Sequence, residues 1–166
     1  MKFYLVDRIE RIEPGRRIVA IKSLSLAEEY LADHFPAFPV LPGVLMLEAL
    51  VQTAAWLVRL QQDWSHSLIV LQAARNIRYA NFVAPGHTLR MDAELVSLEG
   101  QLAKFKALGT LEDGREAVSG RLELKCLNVA DVCPPAAAAD PAILASLRQQ
   151  FKLIGGPEAL AAAGVK

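Results

Sequence analysis

The segment HFPAFPVLPGVLMLEALVQ, which runs from His34 to Gln52, decides the fold because it joins a stiff loop to an apolar helix. Its first half contains three prolines, whose rings fix the backbone and remove hydrogen-bond donors. The residues after the last proline are almost all apolar, so we expect a buried helix from about Gly43 to Gln62. The segment therefore predicts a rigid loop that leads into a central helix.

The stretch from Phe35 to Val58 is the part of the sequence that is apolar enough to suggest a membrane span. Its prolines interrupt helical hydrogen bonding at the start. Glu48 lies near the middle, where an acidic side chain costs about 2.5–3.5 kcal/mol to insert. What remains is too short and too polar to cross a bilayer, so we expect no membrane span.

The composition indicates one folded domain without an overall charge. The chain has 166 residues, of which 53% are hydrophobic, and its 18 basic and 18 acidic residues give a net charge of zero. This excludes a disordered chain, and it leaves no positive field to hold nucleic acid. Cys126 and Cys133 fit no disulfide framework, and the N-terminus is not a secretory signal. We therefore expect a cytoplasmic protein.

Strand patterns lie on both sides of the predicted helix. Two strands, Tyr4–Glu13 and Arg16–Ser23, meet at a Pro-Gly turn, and a short helical turn is expected within Leu26–Ala32. After the helix, the apolar run Leu68–Ala74 suggests a central strand that continues irregularly to Phe82.

Three further strands are predicted in the second half of the chain. Thr88–Leu98 alternates between apolar and polar residues, and Leu102–Leu111 pairs with Glu116–Cys126 across the hairpin signal Asp113-Gly114. The pattern thus predicts about six strands, mostly antiparallel because their connections are short, around one long helix. This is an α+β fold.

Residues 128–166 differ in character from the body, which we place at residues 1–127. A Pro/Ala-rich linker comes first, and Asp140 is then expected to cap a helix that has Pro141 at its first position. This helix carries an apolar stripe made of Ile143, Leu144, Leu147 and Phe151. We expect a C-terminal helical appendage that packs on the body or on a partner.

The candidate chemistry lies in the loop and in the first half of the central helix. Histidine titrates near neutrality, so His34 suits the role of a general base. The first amides of a helix lack internal partners, and the N–H near Gly43 can donate to a carbonyl oxygen that gains charge. Glu48 has no sequence-local cation, because Arg59 lies about 16 Å along the axis. Burial would favour its neutral acid, which can donate a proton.

Each of these residues also has a purely structural interpretation. A loop histidine is more often a surface residue, and Gln52, four residues after Glu48, can orient that carboxyl group or simply bond within the core. Arg59 fits the solvated end of the helix, and Cys126 fits a small core residue on the apolar face of its strand. His66 and His87 lack partners at metal-ligand spacing, so no metal site is predicted.

The segment from His34 to Gln52 resembles the active-site motif of the β-hydroxyacyl-acyl-carrier-protein dehydratases of type II fatty acid synthesis. That motif runs His-Phe-Pro, then Pro-x-x-Pro-Gly-Val-Leu, then Glu-Ala and Gln, and the likeness covers roughly Phe3 to Lys125. The resemblance implies a hot-dog fold, in which an antiparallel sheet wraps around the central helix. Ala37 stands where the family usually has glycine, which predicts a slightly reshaped loop.

The resemblance also implies a reaction, which is dehydration of a (3R)-3-hydroxyacyl carrier-protein thioester to the trans-2-enoyl thioester. His34 and Glu48 match the catalytic pair, and Gly43, Val44 and Gln52 match substrate-binding positions of the motif. No metal or redox cofactor is needed. In the family, the histidine and the carboxylate come from different subunits of a homodimer, and the dimers often assemble into hexamers.

The partner implied by the resemblance is an acyl carrier protein, which is acidic in this pathway. Arg78 matches a family position, and with Arg75 it is a candidate for docking. Two alternatives remain open, namely an acyl-thioesterase of the same fold, which typically lacks the His-Phe-Pro loop, and a non-catalytic acyl-binding or assembly subunit. The sequence leaves open the acyl chain length, the choice of carrier protein or CoA, and the pathway.

Overall fold

The computed structural model describes residues 3–164, and its main feature is a six-stranded antiparallel sheet wrapped around one long helix. The strands are β1 Arg8–Glu13, β2 Arg17–Ser23, β3 Leu68–Tyr79, β4 Thr88–Glu99, β5 Leu102–Thr110 and β6 Glu116–Leu127. Their order across the sheet is β1-β2-β4-β5-β6-β3, and every neighbouring pair is antiparallel. The predicted α+β hot-dog architecture is confirmed.

The central helix, α1, spans Gly43–Gln61, close to the predicted bounds. Its buried side chains are Met46, Ala49, Leu50, Val51, Thr53, Ala54, Ala55, Trp56, Leu57 and Val58. By length and composition α1 could cross a membrane, but 56% of its apolar window is buried inside the protein. A fully buried leucine contributes about 1.5–3 kcal/mol to stability. Since α1 buries ten side chains, it is the centre of the hydrophobic core.

The hairpin of β5 and β6 shows why the sheet closes over α1. Ala103 and Phe105 on β5, and Leu122 and Leu124 on β6, are buried, while the residues between them face outward. The turn between the strands uses Gly114 at a φ of 84°, a left-handed conformation that glycine adopts without strain. The alternation of buried and exposed side chains and the glycine turn thus form the hairpin that the sequence predicted.

Two strand predictions were wrong in detail. β1 begins at Arg8 rather than at Tyr4, because the first backbone bond to β2 is made by Asp7 N–H, whereas Leu5 N–H donates to the Gln52 side chain at 3.0 Å. β3 lies at the edge of the sheet and, within the described part of the chain, pairs only with β6. Its apolar run suggested a central strand, yet Val70 remains 40% exposed.

The C-terminal appendage contains α2 Val129–Val132, α3 Asp140–Leu153 and α4 Gly156–Ala162, with a 3₁₀ helix at Pro134–Ala139. The predicted N-cap role of Asp140 was wrong, because α3 begins at Asp140 itself and the carboxylate of this residue bonds outside the helix. It accepts hydrogen bonds from Ser67 Oγ and from the amides of Val129 and Ala130, the latter two at 2.8 and 3.1 Å. Asp140 therefore ties the start of α2 to the start of β3.

The appendage packs on the body of its own chain. The Phe151 ring lies 5.8 Å from Trp56 and 5.5 Å from Trp64, so three aromatic side chains join α3 to the end of α1. The N–H of Ile9 on β1 donates to the carbonyl of Ile154 at 2.7 Å. Together these contacts cover the C-terminal end of α1 and one edge of the sheet.

Candidate active site

His34 lies in the loop between a 3₁₀ helix, Glu29–Ala32, and α1. Its backbone N–H donates to the Tyr30 carbonyl at 3.1 Å, and its Nδ1 lies 3.2 Å from the Val40 carbonyl oxygen. A carbonyl only accepts, so this contact places the proton on Nδ1 and leaves the lone pair of Nε2 free. His34 is thus held in the tautomer that can accept a proton at Nε2.

Ala37 fits the loop without backbone strain. Pro36 and Ala37 form the centre of a turn that is closed by a 2.7 Å hydrogen bond from Phe38 N–H to the Phe35 carbonyl. The positive φ in this loop, 59°, belongs to Phe35 and not to Ala37. A glycine is therefore not required at position 37, although the family usually has one.

A cavity of about 280 Å³ brings the loop, the start of α1 and the end of β3 together. Its lining residues are His34, Val40, Leu41, Gly43, Met46, Tyr79, Ala80, Asn81 and Phe82. The hydrogen bonds of α1 begin with the amides of Leu45 and Met46, which donate to the Pro42 carbonyl. The Gly43 amide precedes them and carries the positive end of the helix dipole beside the cavity that His34 lines.

Sequence reasoning missed Tyr79 and Phe82 as parts of this cavity. A Cβ on Gly43 would lie 3.2 Å from Cε1 of Tyr79, so glycine at this position lets the tyrosine ring approach the helix. The only sequence signal was the irregular continuation of the β3 pattern to Phe82. Its meaning depends on how β3 packs against α1, which local periodicity does not show.

Glu48 does not line this cavity. It follows Gly43 by five residues, which turns its side chain about 140° around the helix. Its side chain is half-buried, and Oε1 accepts a 3.0 Å hydrogen bond from Nε2 of Gln52. The single chain therefore groups His34 with Gly43 and groups Glu48 with Gln52, but it does not bring the two groups together.

Val44 and the two candidate docking arginines lie at the surface. Val44 follows Gly43 and is 70% exposed, and the side chains of Phe35, Phe38 and Phe82 are exposed as well. Arg78 is exposed on β3 beside Tyr79, whereas Arg75 is paired with Glu123 at 3.1 Å.

The prediction that Arg59 is the solvated end of α1 was wrong. Its guanidinium lies 5.2 Å from the centre of the Trp56 ring, and its Nε has no hydrogen-bond partner among residues 3–164. Burial lowers the pKa of Arg59 to about 10. Cys126 is fully buried, as predicted, and burial raises the pKa of its thiol.

The fold and the site define a class, which is a hot-dog-fold protein with a histidine and a free helix amide on one apolar cavity. Residues 1–120 match the FabA-like domain, and this chain belongs to the FabA-like family.

Curated relatives share this domain at moderate identity. The chain is 40% identical over 137 residues to the 3-hydroxyacyl-acyl-carrier-protein dehydratase FabZ of Solibacter usitatus. The matched region covers 81% of this chain and 82% of the relative. It is 39% identical over 120 residues to the FabZ of Exiguobacterium sibiricum, with 72% and 85% of the two chains covered.

Solved structures show the same fold at lower identity. The dehydratase heterocomplex ApeI:P from Xenorhabdus doucetiae matches with a TM-score of 0.64 and 18% identity, over 77% of this chain and 86% of that one. Thioesterase HI1161 from Haemophilus influenzae matches with a TM-score of 0.54 and 15% identity, over 73% and 79%. Since dehydratases and thioesterases share this fold, the fold alone does not choose between them.

Proposed function

We propose that this chain dehydrates (3R)-3-hydroxyacyl-acyl-carrier-protein thioesters to trans-2-enoyl thioesters in fatty acid synthesis. It is a hydro-lyase, as the names of its curated relatives indicate. The observation that carries the proposal is the shared cavity of His34 and Gly43, in which a free imidazole nitrogen lies on the same cavity as a helix amide. The thioesterases matched here are similar in fold only.

In the proposed reaction, Nε2 of His34 takes a proton from C2 of the substrate. The electron pair of that C–H bond moves into the thioester carbonyl, whose oxygen gains charge and is stabilised by the Gly43 N–H. A proton from Glu48, passed directly or through a water, then goes to the 3-hydroxyl, the C3–O bond breaks, and water leaves. The double bond forms between C2 and C3, and Val44 and Gln52 support the acyl substrate and the carboxyl group.

The proposed reaction needs a second copy of the chain, because one chain does not bring Glu48 to the cavity of His34. We infer a homodimer in which each site takes His34 from one protomer and Glu48 from its partner. The exposed side chain of Val44 and the outer edge of β3, which pairs with no second strand among residues 3–164, support this arrangement. Assembly of such dimers into a hexamer belongs to the same proposal.

The test of the activity is direct turnover. Full-length protein is incubated with 3-hydroxybutyryl carrier protein, and the enoyl product is followed together with any free thiol. We expect the enoyl product without thiol release, and we expect His34→Ala to lose at least about 100-fold in kcat. Release of free thiol would support the thioesterase instead, and tight binding without turnover would support the non-catalytic subunit.

We also propose that the carrier protein docks on the outer face of the sheet near Arg78. In the register of the sheet, Arg121 on β6 lies directly between Arg75 on β3 and Lys106 on β5. Like charges directly opposite one another destabilise a sheet, and an acidic partner would relieve that repulsion. Arg78 is the stronger candidate of the two β3 arginines, because Arg75 is already paired with Glu123.

A charge reversal tests the docking site. Arg78→Glu should raise KM for carrier-bound substrate by about tenfold while KM for a small pantetheine thioester stays unchanged. Lys152→Glu, an exposed change on α3, is the matched control and should alter neither value. An unchanged KM for the carrier-bound substrate in Arg78→Glu would place docking elsewhere.

We assign the reaction to residues 1–127, which contain all the site residues named above, and a stabilising role to the appendage at 128–166. The aromatic contacts of Phe151 with the end of α1 support that role. We infer a cytoplasmic location, since Cys126 and Cys133 are free thiols, as is usual in reducing compartments.

A further inference from the structure

The chain holds Gln52 with the backbone of its own N-terminal segment, residues 3–5. The N–H of Leu5 donates to Oε1 of Gln52 at 3.0 Å, and Nε2 of Gln52 donates to the Phe3 carbonyl at 3.0 Å. These contacts use opposite ends of the side-chain amide, so its orientation is fixed. The second Nε2 hydrogen is then directed to Oε1 of Glu48, also at 3.0 Å.

The segment is itself anchored, although it is not part of a strand. Leu5 is 1% exposed and contributes to the core around α1. Beyond it, Asp7 N–H donates to the Ile21 carbonyl at 2.8 Å, and on the other side the Phe3 ring lies 6.1 Å from Tyr30. A backbone that is fixed at both ends can hold a side chain in place at little further entropic cost.

Glu48 depends on this support. Its side chain is half-buried, and within residues 3–164 the bond from Gln52 is its only side-chain hydrogen bond. A glutamate has several rotatable bonds, and a proton donor that is displaced by about 1 Å can lose a large part of its rate. The orientation of the carboxyl group thus depends on Gln52, and the orientation of Gln52 depends on Phe3 and Leu5.

We propose that the backbone of residues 3–5 is a positioning strap that aligns the carboxyl group of Glu48 through Gln52. This inference rests on the proposed function, in which Glu48 donates a proton to the leaving hydroxyl. Phe3, Leu5 and Gln52 act as positioning residues, because they work through Glu48.

Two shortened chains isolate the contribution of the Phe3 carbonyl. A chain that starts at position 4 with Tyr4→Met lacks that carbonyl, while a chain that starts at position 3 with Phe3→Met and Tyr4→Met loses the phenyl ring but keeps the carbonyl. We expect the first to lose about tenfold in kcat with KM within twofold, and the second to stay near the full-length kcat. Equal kcat values for the two chains would overturn the strap.

Coupling to Gln52 separates positioning from mere stabilisation. In a Gln52→Leu background, removal of residue 3 should cause no further loss of kcat, because the strap acts only through this side chain. If the two losses multiply, the segment acts by another route and the inference is wrong. All rates are measured well below the Tm of each variant, so that unfolding does not contribute.

Gln52→Glu keeps the test available if the shortest chain fails to fold. It keeps an acceptor for Leu5 N–H and loses both donated bonds, so it should lower kcat while KM stays within twofold. An unchanged kcat would again overturn the strap. Failure of the proposed function looks different, because the full-length protein would then show no turnover at all.

Discussion

At the scale of single residues, the surroundings of Arg59 differ from those expected of a charged side chain at a helix end. Its guanidinium packs over Trp56, its Nε is buried without a hydrogen-bond partner among residues 3–164, and burial lowers its pKa to about 10. The long aliphatic stem still packs well at this position. Packing of the aliphatic part of Arg59 therefore stabilises the fold, whereas burial of its guanidinium costs free energy.

Replacement of Arg59 by methionine should separate the two contributions. Arg59→Met keeps an unbranched stem and removes the charge, so the free energy of unfolding in urea should stay the same or rise by about 1 kcal/mol. Arg59→Ala, the comparison variant, also loses the contact with Trp56 and should fall by about 1–2 kcal/mol. A large loss in Arg59→Met would mean that the guanidinium has a partner in the assembled protein.

At the scale of elements, the appendage is joined to the body by one polar tie and one aromatic cluster. Asp140 forms the polar tie, since its carboxylate accepts from Ser67 before β3 and from the first amides of α2. The aromatic cluster of Trp56, Trp64 and Phe151 covers the end of α1. The elements of the appendage are short, so they depend on these contacts more than on their own helical propensity.

The polar tie predicts a loss of stability in acid. The hydrogen bond from Ser67 has the largest effect in lowering the pKa of Asp140 below its usual 3.8, and the bonds from Val129 and Ala130 add smaller effects. A carboxyl group with a lowered pKa stabilises the fold fully above its unfolded value, and this stabilisation disappears as the pH falls through the lowered value. Its contribution is therefore present at pH 7 and is lost below about pH 4.

Asp140→Asn should remove this contribution at every pH. We expect Tm at pH 7 to fall by about 2–4 °C and the part of the acid-induced Tm decrease that comes from Asp140 to disappear. Asp63→Asn is the control, because Asp63 has a φ of 48°, a conformation that asparagine also accepts. An acid profile of Asp140→Asn identical to that of the unaltered chain would contradict this account.

At the scale of the whole molecule, His34 and Glu48 lie apart in one chain, so the proposed reaction predicts a site that is built from two chains. The cavity takes its imidazole and its helix amide from one chain, while Glu48 is held by Gln52 on another face of α1. A symmetric pair of chains would then contain two complete sites.

A mixture of two inactive variants tests that arrangement. His34→Ala and Glu48→Gln, each inactive alone, should regain activity when refolded together, because every mixed dimer contains one complete site. With random pairing, about a quarter of the unaltered activity is expected. Recovery should be absent when His34→Ala is mixed with the double variant, and a mixture no more active than its parts would mean that each chain holds its own site.

The sequence by itself determined α1, the β5–β6 hairpin and the motif residues from His34 to Gln52, because apolar periodicity, prolines and turn glycines act over a few neighbouring residues. The tertiary structure alone decided that β3 lies at an edge, that Tyr79 joins the cavity, and that Asp140 bonds to Ser67 rather than capping its own helix. These outcomes depend on contacts between residues far apart in the chain, and such contacts leave no local pattern.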